Sequence, residues 1–204
     1  MLKRADQEPG PSKRTHDPRF VTGVILAQGL LFLAAGAAIW VWTGRDLSDF
    51  VRWRTSDLLA ALLVGGGLMA FAAVLTRAFP RFLPWSAEKQ KELFVGRGYS
   101  RLQILLLAAA AGIGEEALFR GGLQTFASDH LPAAAAILLS AALFAALHPI
   151  SVGIVAMVFA IGLLFGLIYE VTGSLLGVML AHAAYDVWAL AIVQRELARR
   201  GMLG

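Results

Sequence analysis

The stretch that decides the fold is Leu102–Ala127, LQILLLAAAAGIGEEALFRGGLQTFA. Up to Gly114 it is almost entirely Leu, Ala, Ile and Gly, and its full length suits a helix of roughly 20 residues crossing a hydrocarbon core about 30 Å thick. Glu115, Glu116 and Arg120 interrupt it. A charged group at bilayer depth costs roughly 2.5 to 3.5 kcal/mol on insertion scales, against a net folding stability of about 5 to 15 kcal/mol. Such groups face a protein interior or a wet cavity. Two later apolar runs repeat the pattern with Phe144-Ala-Ala-Leu-His148 and His182-Ala-Ala-Tyr-Asp186. One shared polar site accounts for all three interruptions.

Working outward, the whole chain has the same character. Its 204 residues are 58% hydrophobic and 16% charged, with a mean hydropathy of +0.67, too little polar surface to coat a water-soluble globule. Six apolar segments are expected as spans: Val21 to Trp42, Leu58 to Phe79, Leu102 to Ala127, Ala133 to Leu147, Val152 to Glu170 and Ser174 to Val193. Nothing alternates with period two, and only helices or closed barrels satisfy the backbone in lipid, so the fold class is all-α, a polytopic transmembrane bundle. The first run is longer than a signal-peptide core and has no clear cleavage site after it, so it is expected to remain as a span.

The net charge of +4 does not point to nucleic acid, because Lys and Arg lie mainly between and outside the apolar runs, as topology signals and lipid-headgroup contacts. Five precede the first span, six lie from Arg77 to Arg101 and three follow the last, against three (Arg45, Arg52 and Arg54) between the first and second spans. The positive-inside tendency then sets both termini in the cytoplasm and the protein in the cell membrane as a multi-pass chain. The absence of cysteine excludes disulfides, thiolate ligands and a cysteine nucleophile. Four regions follow: a polar tail over 1–20, two spans and a cytoplasmic connection over 21–100, a core over 101–195 and a polar tail over 196–204. Within the connection, Ser86-Ala87-Glu88 reads as the start of a short amphipathic surface helix.

Residues four apart share a helix face, so Glu116 and Arg120 are expected to pair, leaving Glu115 as the unpaired carboxylate and the candidate general base. His182 and Asp186 share that spacing inside an apolar run, an arrangement that orients an imidazole, although a purely structural hydrogen bond is the competing reading. His148, taken alone, reads as an interfacial residue at a helix end, closed by Pro149. His16 and His130 read as solvated, Gln28 as hydrogen-bonded to a neighbouring helix, and Trp40, Trp42, Tyr169 and Trp188 as interfacial aromatics. Gly162-x-x-x-Gly166, Gly173-x-x-x-Gly177 and Gly65 to Gly67 read as packing sites. On a straight threading Glu115 lies roughly 20 Å from Arg101 and His182 roughly 10 to 12 Å from the opposite face, so they meet, whereas His148 emerges near the cytoplasmic side.

Taken in order, Glu-Glu-x-x-x-Arg at 115–120, Phe-x-x-x-His at 144–148 and His-x-x-x-Asp at 182–186 resemble the CPBP family of CAAX prenyl proteases and bacteriocin-processing enzymes, also called Abi, over about Leu102 to Val193. The resemblance implies a helical intramembrane peptidase core in which Glu115, with His148, activates a water. It further implies that His182 and residue 186 stabilise the oxyanion and that Glu116 and Arg120 support the site. The prenyl-protease branch usually has asparagine where Asp186 stands. An ionised aspartate cannot donate to an oxyanion, so Asp186 must be protonated, orient His182 or hold a metal. Zinc is the candidate cofactor, with Glu115, His148 and His182 as its ligands; a metal-free reaction fits the same residues, and the His-Glu-x-x-His motif is absent. The expected partners are a peptide or protein substrate, membrane-anchored or not, and the lipid bilayer. A proton-coupled transporter and a non-catalytic scaffold or immunity protein are the alternative classes.

Overall fold

The computed structural model describes residues 17–203 apart from positions 95 and 149; the tail bearing His16 and the proline after His148 lie outside the described residues. The described residues form helices and connecting turns: α1 Pro18–Trp42, α2 Leu47–Phe50, α3 Thr55–Ala78, α4 Phe82–Gln90, α5 Arg101–Ser128, α6 Ala133–Ala146, α7 Val152–Thr172 and α8 Leu175–Arg199. Five of them, α1, α3, α5, α7 and α8, are long and apolar enough to cross a membrane. The fold is the polytopic helical bundle read from the sequence. The sixth apolar segment, α6, has 14 residues, about 21 Å at the helical rise and short of a full span.

Local chemistry sets the helix ends. Asp17 accepts the Arg19 N–H at 2.8 Å and Pro18 fills the first turn, so α1 begins before its apolar run does. Ser100 and Gln103 form a reciprocal capping box at the start of α5. Helix α4 starts four residues before Ser86, which lies in its middle rather than at its N-terminus. Pro84 is accommodated in the first turn, where no helical N–H is required.

Helix α8 is the central element, packed along α3 and α5, with α4 across its C-terminal part. Helix α1 covers α5, and α6 pairs with α7. One buried cluster gathers Phe50, Leu68, Phe165, Leu175, Val178 and Met179; another, nearer the α4 side, gathers Phe94, Tyr99, Ile104, Leu107, Val193 and Leu197. The outer faces are left apolar, with Leu30, Leu63, Phe71 and Val171 exposed, as lipid contact requires.

Small residues allow the close crossings. A Cβ on Gly29 would meet the Ala110 backbone, and one on Gly36 would overlap the Ala117 carbonyl, so α1 lies against α5 backbone to backbone. Gly162 sits against Ala141 and Phe144, and Gly166 against Gln124 and Ile137. Of the triple glycine only Gly65 packs, against Ala181; Gly66 and Gly67 face open space. Gly173 takes φ +62° to end α7.

Two polar ties fasten the end away from α4. Arg45 forms a two-pronged bridge to Asp129, at 2.8 and 2.6 Å, joining the α1–α2 and α5–α6 connections. That hydrogen bonding holds the Asp129 carboxyl below its ordinary range. Asp57, buried at the start of α3, accepts the Arg54 N–H at 2.6 Å and the Ser174 hydroxyl, which in turn accepts the Gly177 N–H at 3.1 Å.

Candidate active site

Midway along α5 the helix loosens. Ala117–Gln124 is π-helical, adding a residue per turn at the point where the polar side chains occur. Gly121 and Gly122 lie in it, the first against Phe50 and Leu175, the second with a Cβ position 3.1 Å from Gly36 Cα. Two hydroxyls brace it: Thr125 donates to the Arg120 carbonyl at 2.8 Å, and Ser140 of α6 donates to the Phe119 carbonyl at 2.9 Å. Gln124 donates to the Gly166 carbonyl at 3.0 Å.

Glu116 and Arg120 are both fully buried. Arg120 Nη1 donates to Glu116 Oε1 at 2.9 Å, and Nη2 donates to the Gly162 carbonyl at 2.8 Å. The guanidinium lies 4.9 Å from the Phe144 ring centroid and 5.7 Å from that of Phe165. Those aromatic faces supply a favourable environment for a cation removed from water. Arg120 Nε and Glu116 Oε2 have no hydrogen-bond partner among the described residues.

The Glu116 oxygen that binds Arg120 also receives His182. His182 Nδ1 lies 2.9 Å from Glu116 Oε1, and since a carboxylate can only accept here, Nδ1 is the donor. Orienting His182 was one role the sequence left open for Asp186; in the structure the ring donates its hydrogen bond to Glu116, on another helix. The other ring nitrogen, Nε2, is 3.5 Å from Asp186 Oδ2 and 3.9 Å from Glu115 Oε2. His182 is stacked on Phe165 at 5.2 Å between centroids, with the edge of Phe144 at 6.1 Å. The ring is therefore fixed in position, orientation and tautomer, with Nε2 aimed between two carboxylates.

His148 and His182 line one cavity of about 210 Å³ with Phe144, Tyr185 and Asp186. His148 Nδ1 donates to the Phe144 carbonyl at 2.9 Å, leaving Nε2 uncommitted. A straight threading put this histidine at the cytoplasmic face, too distant to share a site. The shortness of α6 removes the difficulty, because a helix ending after 14 residues delivers His148 inside the bundle. Glu115 Oε2 stands beside the cavity, 3.9 Å from His182 Nε2, and His182 links the carboxylate cluster to it. Of the six candidate residues, five gather around His182 and its cavity through direct contact or shared lining, with Arg120 behind Glu116.

Other sequence readings fare differently. His130 is exposed on the α5–α6 connection. Gln28 is exposed on α1 rather than bonded to a neighbour, while Gln103 donates to Thr22 at 3.4 Å and Gln124 crosses to α7. Tyr169 hydrogen-bonds Thr125 at 2.9 Å, and Trp188 lines the cavity. Phe165 escaped the sequence reading; its one signal is its place, three residues after Gly162 and one before Gly166, on the packed face of α7.

A zinc site over Glu115, His148 and His182 does not fit this arrangement. Among the described residues no three His, Cys, Asp or Glu donors stand where one ion could be held.

Comparison with known proteins agrees with the geometry. An uncharacterized protein of Bacillus subtilis (strain 168), YpbD, is 32% identical over 180 residues, covering 84% of this chain and 89% of the relative. No solved structure matches the chain. Residues 97–188 match the family described as type II CAAX prenyl endopeptidase, Rce1-like, a span that contains all six candidate residues. With its five membrane-length helices and the three motifs in order, the chain belongs to this Rce1-like family of CAAX endopeptidases.

Proposed function

We propose that the protein is an intramembrane endopeptidase that hydrolyses a peptide bond with a glutamate-activated water, its catalytic core spanning residues 101–195. The observation that carries this reading is the environment of His182: one ring nitrogen bound to Glu116, the other facing Glu115 and Asp186, at the wall of a cavity shared with His148. Glu115 takes a proton from water, and the resulting hydroxide attacks the scissile carbonyl carbon. The carbonyl oxygen gains the electron pair as the tetrahedral intermediate forms. His182, with both nitrogens protonated, donates through Nε2 to that oxyanion while Nδ1 stays on Glu116. His148 Nε2 holds the water. Collapse re-forms the carbonyl and breaks the C–N bond, and the proton on Glu115 passes to the leaving amine. Arg120 neutralises Glu116 and keeps it an acceptor.

The substrate is a peptide or protein reaching the site from the bilayer or the cytoplasmic side, and the protein resides in the cell membrane with both termini in the cytoplasm. The deciding experiment uses purified protein in micelles and a library of short synthetic peptides, with cleavage mapped by mass spectrometry. Wild type is expected to cleave, and Glu115→Gln to lose at least about a thousandfold in rate, the scale on which an essential proton-transfer group and its water matter. Full activity in Glu115→Gln removes the proposal. Because no step passes through a metal, a chelator is expected to leave the rate unchanged; a chelator-sensitive rate restored by zinc would replace this scheme with a metal-assisted one.

A further inference from the structure

The cavity has a polar wall that the three motifs do not supply. Helix α4 contributes Phe82, Leu83, Ser86 and Gln90 to the lining. This helix lies before residue 97, where the family match begins. Its two polar side chains are one turn apart. Gln90 Nε2 donates to Ser86 Oγ at 2.9 Å, and Ser86 is only 7% exposed.

The inventory of this pair is incomplete. A serine inside a helix ordinarily returns its hydroxyl proton to the carbonyl four residues earlier. Among the described residues, the Ser86 hydroxyl appears only as an acceptor, from Gln90, and Gln90 Oε1 accepts nothing. One buried donor and one acceptor thus remain, in a cavity lined otherwise mainly by Phe, Leu, Ile, Val and Met. Leaving the buried Ser86 hydroxyl without an acceptor there is unfavourable, and half-buried Gln90 lines the same cavity with its acceptor free, so the wall suits something that supplies both partners.

We infer that Ser86 and Gln90 form a backbone-reading subsite, in which the Ser86 hydroxyl donates to a carbonyl, and Gln90 Oε1 accepts an N–H, of an extended substrate segment in the cavity. Because Gln90 Nε2 lies 2.9 Å from Ser86 Oγ, its Oε1 stands within about 5 Å of that hydroxyl, shorter than the roughly 6.6 Å repeat of alternate residues in an extended chain, so the two read one such repeat. An extended peptide offers N–H and C=O groups at that repeat and loses its water partners on entering this cavity. The subsite therefore offsets the desolvation of the backbone without selecting side chains. It deepens the peptidase reading above and rests on it for the nature of the ligand.

The test measures binding, so that it stands apart from hydrolysis. Full-length Glu115→Gln protein in micelles is offered a random library of short synthetic peptides; the best-retained sequence is resynthesised and its Kd measured. In that background, Ser86→Ala and Gln90→Leu are each expected to raise Kd about tenfold, the effect of one net hydrogen bond, and Ser86→Thr to restore it. N-methylation is then scanned along the peptide. At one amide it is expected to weaken binding to the parent about tenfold and leave binding to Gln90→Leu unchanged. The scan runs on the parent and on Ser86→Ala even where Gln90→Leu does not fold. The inference is overturned by Kd values within about twofold for both substitutions, by N-methylation that acts at no single amide of the parent or that acts alike on the parent and Gln90→Leu, or by retention of no peptide at all. Peptide capture with no hydrolysis by wild type defeats the peptidase proposal and leaves the subsite standing.

Discussion

Asp186 stands where the resemblance to the prenyl-protease branch implies an asparagine, and its surroundings give that difference a testable consequence. The ring of His182 is already oriented by Glu116, so Asp186 is not needed for that task. Its Oδ2 stands 3.5 Å from His182 Nε2, the nitrogen proposed to donate to the oxyanion, and competes for it. An asparagine there brings an N–H of its own. Asp186→Asn is therefore expected to raise kcat, because it removes a competing acceptor and adds a donor, whereas Asp186→Ala, which only removes the acceptor, is expected to change it less. Initial rates on one peptide decide it; an asparagine variant impaired along with the alanine one assigns the carboxylate itself to the reaction. The candidate residues were legible in the sequence because ionisable groups are rare in apolar runs. Their pairings were legible only within a helix, as for Glu116 and Arg120. The Glu116–His182 contact depends on how α5 and α8 are rotated against each other, which no i, i+4 rule records. Asp57 lay just outside the apolar run, so its burial was not legible either.

Five of the six expected spans were readable to within about six residues at their ends, because length and hydropathy set them, whereas the interruption of α5 was not. Its π-helical turns arise where Gly121 and Gly122 lower the resistance to unwinding and where Thr125 and Ser140 take up freed carbonyls. Helix α1 holds this segment from outside. Gly29 and Gly36 are seven residues apart, two turns along one face, and that spacing is the signal by which the contact was open to detection. A methyl group on Gly36 would enter the Ala117 carbonyl, which cannot move without shifting the π-helical turns, whereas one on Gly66 meets nothing within 4 Å. Gly36→Ala is expected to destabilise by about 1 to 3 kcal/mol, as over-packing does. Gly66→Ala is expected to be neutral or to stabilise by up to about 1 kcal/mol through helix propensity. Thermal unfolding in one detergent compares them. Equal melting temperatures for the two variants would show that α1 does not press on the site. If it does, Gly36→Ala also lowers cleavage while touching no candidate residue.

At the scale of the molecule the arrangement is asymmetric, and the asymmetry carries the orientation. The end bearing α4, the cavity and the C-terminal part of α8 also bears Arg77, Arg81, Lys89, Lys91, Arg97, Arg101 and Arg199, whereas the opposite end has Arg45, Arg52 and Arg54. By the positive-inside tendency the α4 end, and with it the cavity, is expected to face the cytoplasm, the orientation proposed above. The 14-residue α6 fits this asymmetry, because its end sets His148 in the cavity wall while Arg45 and Asp129 tie the far end. Since the chain contains no cysteine, single substitutions report sidedness without background labelling. Ser48→Cys and Ser128→Cys, exposed at the α1–α2 and α5–α6 connections, are expected to react with a membrane-impermeant maleimide in intact cells whose outer envelope has been opened. Lys89→Cys and Arg199→Cys, exposed at the other end, are expected to react only after the membrane is broken. The inverse pattern would place the cavity mouth on the outer face. A substrate would then have to arrive from outside the cell, and the peptidase proposal would stand only with its cytoplasmic substrates withdrawn.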